Sequence, residues 1–127
     1  MTELTPVAAP AAPAAIGPYV QAVAHNGMLY CSGALPIDPA TGAIEATDAA
    51  GQARQSLTNL AAVCAAAGTS LSRAVRTSIY TTRLSEFADI NTAYAEFFDE
   101  HVPARTTIEV AGLPAGAAVE IDAIVAL

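Results

Sequence analysis

The sequence contains no lysine, and its five arginines are set against twelve acidic residues. The formal net charge of −7 disfavours binding to a nucleic-acid backbone or to an anionic membrane surface, because both carry charge of the same sign. The absence of lysine also excludes Schiff-base and nucleophilic lysine chemistry. An acidic small molecule remains possible as a ligand, since one arginine at contact distance outweighs a weak overall field.

Cysteine and histidine are also scarce. Cys31 and Cys64 do not make a disulfide framework for a chain of 127 residues, and both lie in apolar surroundings typical of buried thiols. The two histidines, His25 and His101, lack the paired spacing of zinc ligands. The sequence has no glycine-rich phosphate loop, no dinucleotide fingerprint and no Gly-x-Ser-x-Gly elbow. We therefore expect neither a metal nor a cofactor.

Targeting and membrane signals are missing as well. No basic residue precedes Arg54, so the N-terminus lacks the positive region of a secretory signal. Every stretch of about 20 residues is interrupted by proline, glycine or charge, so we expect no membrane span. The expected location is a reducing cytoplasm.

The length and composition indicate one domain. Residues 1–15 are rich in proline and alanine, which predicts a flexible N-terminal arm, and residues 16–127 are predicted to form the single domain. The chain is 54% hydrophobic and its mean hydropathy is positive. In so short a chain this indicates surface that a partner covers, as in a closed homo-oligomer.

Hydrophobic periodicity predicts the element order β-β-α-β-α-β-β. The predicted strands are 20–24, 28–32, 75–82, 103–110 and 119–125, and the predicted helices run from about 48 to 67 and from 85 to 101. Asn26-Gly27 marks the first hairpin. We expect an α+β two-layer sandwich, a mixed sheet with both helices on one face. The other face of the sheet then has no cover from its own chain, which also favours association.

The helix signals make further predictions. Thr47 or Asp48 is predicted to cap the first helix, and Gln52 and Asn59 lie largely off its apolar stripe. In the second helix, Ser85 is the predicted cap, and His101 closes the last turn. The predicted core stripe of this helix consists of Phe87, Ile90, Tyr94 and Phe97 or Phe98.

The stretch Pro103–Val110 carries the candidate chemistry. Arg105 alternates with Thr107 and Glu109 on one face of a predicted strand. A guanidinium in such a place suits a carboxylate, which it binds with two parallel hydrogen bonds. Glu120 lies in the next apolar strand and is the candidate for proton transfer. The alternative is that Arg105 and Glu120 form a structural ion pair.

Four further residues are candidates for contact with a ligand. Tyr19 follows the Gly17-Pro18 turn, and it either presents its hydroxyl to a cleft or plugs the surface. Ser32 and Gly33 end a predicted strand, where they either admit a ligand to the backbone or form a plain bulge or turn. Asn91 either faces a cleft edge or is an exposed polar residue of the second helix.

Several motifs together resemble the RidA (YjgF) family. The match runs in order from about Ala14 to the C-terminus, with the spacing of helices and strands preserved. The matching segments are Ala14–Gln21, Ser32-Gly33, Gln52–Leu60, Asn91–Tyr94, Phe97-Phe98, Pro103–Arg105 with Glu109-Val110, and Glu120–Ile124. The resemblance implies a chorismate-mutase-like α+β fold and a homotrimer with ligand clefts between subunits.

The resemblance also implies an activity: cofactor-free hydrolytic deamination of enamine and imine acids such as 2-aminoacrylate and 2-iminopropionate. The products are a 2-oxo acid and ammonia. Carried over by motif, Arg105 binds the substrate carboxylate and Glu120 positions or activates the attacking water. The remaining cleft residues are implied to be Tyr19, Ser32, Gly33 and Asn91.

Thr107 departs from the family pattern, because many members have cysteine there. Its backbone N–H remains available to a substrate, so threonine is harmless if that group is the functional one. The loop before Pro103 also looks shorter than in many members, which would reshape the rim of the cleft.

Two other functions fit the same fold. One is a non-catalytic sensor of 2-oxo acids, or an interaction module, on the same trimer. The other is a deaminase of a different small acid, of the aminomuconate type. The endoribonuclease label that some relatives carry is disfavoured by the net charge of −7.

Overall fold

The computed structural model describes residues 3–127. Within these residues it has eight strands and two α-helices. In chain order they are β1 (Thr5–Val7), β2 (Ala22–His25), β3 (Met28–Ala34), β4 (Ile37–Asp38), β5 (Ala43–Ile44), α1 (Ala49–Ala66), β6 (Ala74–Thr81), α2 (Phe87–Ala95), β7 (Ala104–Glu109) and β8 (Val119–Ala126).

Six of the strands form one mixed sheet in the order β1-β2-β3-β8-β6-β7. Only the pair β6–β7 is parallel, and β4 and β5 form a small separate hairpin. Both helices pack together on one face of the large sheet. The predicted α+β two-layer sandwich with helices on one face is confirmed.

The sequence predicted the first hairpin from Asn26-Gly27, and the structure confirms it. Both residues have positive φ, 50° for Asn26 and 77° for Gly27, as a two-residue hairpin turn requires. The register pairs His25 with Met28 on either side of the turn.

The segment predicted as an arm contributes an additional strand. β1 pairs with β2 at the edge of the sheet, where Pro6 is tolerated because its missing N–H is not needed by a further strand. The Gln21 side chain fixes the segment that follows β1, since it bonds the N–H and carbonyl of Ala9 and the carbonyl of Pro13. Ala9 and Ala12 are buried in the core.

Helix α1 forms as predicted, from a buried apolar stripe that includes Leu57 and Leu60. Asp48 occupies the N-cap position, but its side chain makes no capping hydrogen bond. The placement of Gln52 and Asn59 away from the buried face was wrong. Both are buried. Gln52 accepts the N–H of Ala118, and Asn59 donates to the carbonyls of Leu35 and Ile37.

Helix α2 is shorter than predicted. Ser85 lies in a 3₁₀ turn before it, and the N-cap position is Glu86. His101 does not close the helix but lies beyond it, with its ring Nε2 2.6 Å from the carbonyl of Ala74. Phe87, predicted to lie in the core stripe, is 40% exposed.

Within residues 3–127, the sheet face away from the helices remains partly exposed, as predicted. Along β8, buried residues such as Val119 and Ile121 alternate with partly exposed ones such as Glu120 and Asp122. We call the side that carries Glu120 the open face. No helix within residues 3–127 is long and apolar enough to cross a membrane.

Candidate functional site

Arg105 lies on β7, at one edge of the sheet, and its side chain faces α2. In the parallel ladder Arg105 pairs with Thr77, which is fully buried under the helices. The guanidinium Nη2 donates a 2.8 Å hydrogen bond to Oδ1 of Asn91. Asn91, which the resemblance places in the same cleft, therefore holds the Arg105 guanidinium.

Two aromatic rings complete the surroundings of this guanidinium. Its central carbon lies 5.6 Å from the ring centroid of Phe87 and 4.9 Å from that of Tyr94. Phe87, Asn91 and Tyr94 are spaced i, i+4 and i+7, so they lie on one side of the helix. We call these three residues the α2 cradle. A cation beside aromatic faces gains about 0.5–2 kcal/mol, depending on how dry the site is.

A residue of the sheet fixes Tyr94, one member of the α2 cradle. The Tyr94 hydroxyl lies 2.6 Å from Oγ1 of Thr77, which fixes the ring under Arg105. Burial raises the pKa of Tyr94, so its hydroxyl remains neutral and does not compete as an anion for the guanidinium. Within residues 3–127 the Arg105 guanidinium has one hydrogen-bond partner, Asn91. Its other N–H groups therefore remain available for a carboxylate.

Glu120 lies on β8, on the open face, directly opposite Tyr80 of β6. Burial raises the pKa of its carboxyl group, and the nearby charge of Asp122 raises it further. A raised pKa brings a carboxylate closer to neutral pH, where it becomes a better proton acceptor.

Gly33 leaves room for this carboxylate. A Cβ built on Gly33 would lie 2.2 Å from Oε2 of Glu120, far inside any allowed contact. The register of β3 against β8 shifts between Cys31 and Ala34, so Ser32 and Gly33 form a bulge there. The bulge interpretation of Ser32-Gly33 is therefore confirmed, and the bulge lies beside Glu120.

Tyr19, Ser32 and Gly33 line one small cavity of about 50 Å³ between the N-terminal segment, β3 and α1. The Ser32 hydroxyl donates a 2.6 Å hydrogen bond to the carbonyl of Val20, which leaves its lone pairs free to accept. Tyr19 is 44% exposed, and its hydroxyl accepts the N–H of Ile16. Of these three residues, Gly33 also lies beside the Glu120 carboxylate.

Thr107 shares the face of β7 that carries Arg105, two residues away. Its Oγ1 is buried and has no hydrogen-bond partner within residues 3–127. An unsatisfied buried hydroxyl costs about 1–3 kcal/mol. The Thr107 hydroxyl therefore adds no stabilising hydrogen bond within residues 3–127.

The predicted residues fall into two groups on opposite faces of the sheet. Arg105, Asn91 and Thr107 lie on the helix-covered side, whereas Glu120 lies on the open face beside Gly33. The alternative of an ion pair between Arg105 and Glu120 within one chain is wrong. The salt bridges of the described residues are Arg54–Glu96 and Arg83–Glu86, both at the surface.

Three contributors were missed in the sequence. Phe87 and Tyr94 were taken as core residues, although their spacing around Asn91 is also that of a cradle. Asp122 received no role, although its position two residues after Glu120 places both on one face. No group of His, Cys, Asp and Glu in residues 3–127 is arranged to hold a metal ion.

Comparisons with known proteins show which family has this fold and these motifs. The family model described as Endoribonuclease L-PSP matches residues 9–127. The chain is 48% identical over 124 residues to the RutC family protein y4sK of Sinorhizobium fredii, covering 98% of each chain. It is also 48% identical over 116 residues to the 2-iminobutanoate/2-iminopropanoate deaminase of Salmonella typhimurium, covering 89% of this chain and 90% of that one.

Solved structures agree with the sequence comparison. The crystal structure of Escherichia coli TdcF with bound serine superposes with a TM-score of 0.92 at 41% identity. The alignment covers 97% of this chain and 98% of TdcF. The predicted resemblance is confirmed: the chain belongs to the Rid (YjgF/RutC) family, whose family model is described as Endoribonuclease L-PSP.

Proposed function

We propose that the protein hydrolyses reactive 2-imino acids, and the enamine acids that tautomerise to them, to 2-oxo acids and ammonia without a cofactor. The observation that carries the proposal is that the chain contains two groups suited to this reaction, one that can bind a carboxylate and one that can accept a proton. Arg105 is held by Asn91 with N–H groups still free, and Glu120 has a raised pKa. A relative at 48% identity is named 2-iminobutanoate/2-iminopropanoate deaminase, which supports the same chemistry.

The reaction begins with the substrate carboxylate on Arg105, bound through two parallel hydrogen bonds. Enamine substrates first take a proton on carbon and become imines. Glu120 accepts a proton from a water molecule as that water attacks the imine carbon, and a tetrahedral carbinolamine forms. The proton then passes to the nitrogen, which in the protonated imine already bears two hydrogens. Glu120 takes the proton of the carbinolamine hydroxyl as the C–N bond breaks, so that ammonia leaves and the C=O bond of the 2-oxo acid forms. General base help of this kind typically contributes about 10²–10⁴-fold.

The separation of Arg105 and Glu120 supports an inter-subunit site. Since the two residues lie on opposite faces of one sheet, we propose that Arg105 of one copy meets Glu120 of the next in a homotrimer. The open face offers apolar surface for such assembly, including Tyr30 (46% exposed) and Ile108 (45% exposed). A cyclic trimer closes this head-to-tail contact.

We also propose roles for the remaining residues of the site. Asn91 acts through Arg105, since its amide oxygen is already bonded to the guanidinium. Ser32 and Tyr19 offer acceptor lone pairs and a phenol to the water or the substrate nitrogen. Thr107 offers its backbone, not its hydroxyl. We place the reaction in the cytoplasm, where the free thiols of Cys31 and Cys64 fit a reducing environment.

The test is release of pyruvate and ammonia from 2-iminopropionate, which an amino-acid oxidase generates in the assay. The wild type should accelerate release, and Glu120→Gln and Arg105→Ala should each abolish the acceleration. Glu96→Gln is the matched control, because its carboxylate lies at the surface on α2's C-terminal side and should leave the rate unchanged. No acceleration by the wild type, with pyruvate still bound, would favour the sensor function over the deaminase.

A mixing experiment tests the inter-subunit site separately. Arg105→Ala and Glu120→Gln chains are refolded together in equal amounts and assayed against each chain alone. If each site takes one residue from each neighbour, about a quarter of the sites in random trimers regain both groups. Activity near a quarter of wild type supports the shared site, and no recovery in mixed trimers of confirmed mass contradicts it.

A further inference from the structure

Asp122 stands beside Glu120 on the open face without a role in the proposed reaction. The two carboxylates alternate with the buried Ile121 along β8, so their side chains leave the sheet on the same side. Both are partly buried. In a strand, side chains two residues apart are separated by about 7 Å.

Tyr80 fixes the Asp122 carboxylate in this place. Its backbone lies directly opposite Glu120 in the antiparallel ladder, yet its hydroxyl donates to Oδ2 of Asp122 at 3.2 Å. The phenol thus crosses diagonally to the next acidic residue of β8. This hydrogen bond fixes the position of the Asp122 carboxylate, whereas the Glu120 side chain has no hydrogen-bond partner within residues 3–127.

We infer that Asp122 is a positioning residue that acts through Glu120, where its fixed negative charge keeps the Glu120 carboxylate a strong proton acceptor. This inference rests on the proposed function, because it assigns Asp122 to the same hydrolysis. Asp122 itself touches neither substrate nor water in the proposed reaction. Its contribution is a charge at a fixed distance from the base.

The other charged and titratable groups on the open face do not cancel this effect. From β6, Tyr80 faces Glu120, and Arg76 lies further along, opposite Ile124, where it bonds the hydroxyl of Thr106. From β3, Tyr30 lies opposite Ile124, and the Ser32-Gly33 bulge next to Glu120 carries no charge. Asp122 is the nearest charge of these groups along the register. The pKa of Glu120 is raised, first by burial and then by the charge of Asp122, which agrees with this placement.

The experiment measures the pH dependence of kcat/KM for the wild type, Asp122→Asn and Asp122→Glu on the same imine. The substrate's own protonation is common to all three enzymes, so differences between the profiles belong to the protein. Asp122→Asn should move the acid limb, the fall of kcat/KM at low pH, to lower pH. At the pH where the wild type has half of its plateau kcat/KM, Asp122→Asn should retain about three quarters or more of its own plateau value. Asp122→Glu keeps the charge and should restore the wild-type limb.

Asp89→Asn serves as the control, because this exposed carboxylate lies on α2, in the other layer of the fold. Its acid limb should coincide with that of the wild type. An Asp122→Asn limb at the wild-type position, in a protein of unchanged circular dichroism and mass, would overturn the inference. A shifted acid limb in Asp122→Asn, together with an unshifted limb in Asp122→Glu, is explained by the charge of Asp122 and not by a packing role.

A second measurement keeps the inference testable if Asp122→Asn is inactive at every pH. Carbon-13 NMR of labelled glutamate carboxyl groups follows the Glu120 titration directly, with Glu120→Gln used for assignment. The Glu120 signal should titrate at lower pH in Asp122→Asn than in the wild type, and an unchanged midpoint contradicts the inference. Absence of turnover in the wild type would instead contradict the proposed function. The NMR titration would still measure the effect of Asp122 on Glu120.

Discussion

Replacement of Gly33 by alanine should separate activity from stability at this site. The new Cβ would lie 2.2 Å from Oε2 of Glu120, 2.9 Å from its carboxyl carbon and 3.2 Å from its Cγ. Ordinary contacts begin at 3.4 Å, so the oxygen must retreat by about 1.2 Å, the difference between 3.4 and 2.2 Å. The obstacle is the end of a flexible side chain, and Glu120 can therefore swing away without movement of the backbone.

The energetic cost of this movement is small, whereas its kinetic cost is large. A side chain forced from its rotamer loses about 0.5–1.5 kcal/mol, and the change from glycine to alanine returns about 0.4–1 kcal/mol through the unfolded state. The free energy of unfolding should therefore change by less than about 1 kcal/mol, and Tm by at most about 4 °C. A displacement of about 1 Å at a reacting group costs about 10²-fold in rate.

The assay compares kcat/KM for 2-iminopropionate with thermal unfolding for the wild type, Gly33→Ala and Gly112→Ala. Gly112 is the control, because a Cβ there meets nothing within 4 Å. It should keep both activity and Tm. A Gly33→Ala enzyme with full activity would refute the argument that the glycine holds space for a working carboxylate. Global unfolding of Gly33→Ala would refute the argument that the side chain yields before the backbone.

Three further predictions follow from the site. Phe87→Leu should weaken binding of pyruvate by about 3- to 10-fold in calorimetry, because it removes a ring beside the Arg105 guanidinium. In kinetics kcat should be less affected, and Phe87→Tyr should stay close to wild type in both measurements. Thr107→Cys should stabilise the protein by up to about 1 kcal/mol in urea unfolding, since an unsatisfied hydroxyl is removed, and should change turnover little; a large gain in rate would assign a role to the thiol. Glu120→Gln should raise Tm at neutral pH, because burial raises the pKa of Glu120 and its ionisation destabilises the fold as pH rises through that pKa. This advantage should vanish below about pH 4, where the carboxyl is protonated in both folded and unfolded chains, and a constant advantage at all pH values would contradict the reasoning.

The sequence was sufficient to predict the sheet, both helices and the family, because those depend on local patterns. Asn26-Gly27 determines its own turn, and the apolar period of α1 determines its buried face. Arg105 and Glu120 could be selected for the same reason: Arg105 stands in a mostly neutral strand and Glu120 in an apolar one. Alternation gives the face of a residue only within its own strand. That Arg105 and Glu120 lie on opposite sides depends on how β7 and β8 each align with β6.

Long-range polar contacts were out of reach for a related reason. Gln52 and Asn59 are buried because they hydrogen-bond backbone groups of distant loops. The apolar pattern of a helix does not reveal such partners. Phe87 shows a different limit. A residue at helical spacing from Tyr94 fits an apolar core and a cation cradle equally well, and only the position of Arg105 distinguishes them. β1 is three residues long and contains proline, so its pairing depends on the exposed edge of β2.

The placement of Arg105 and Glu120 on opposite faces makes protein concentration a kinetic variable, if the two act together as proposed. A lone chain then holds half of each of two sites and completes neither. Below the dissociation constant of the assembly, the rate per chain falls with dilution, and the total rate rises faster than linearly with the amount of protein. Freshly diluted enzyme should show a progressive loss of rate as subunits separate. In a cell that makes few copies, the rate of hydrolysis would then fall more steeply than the protein level alone indicates.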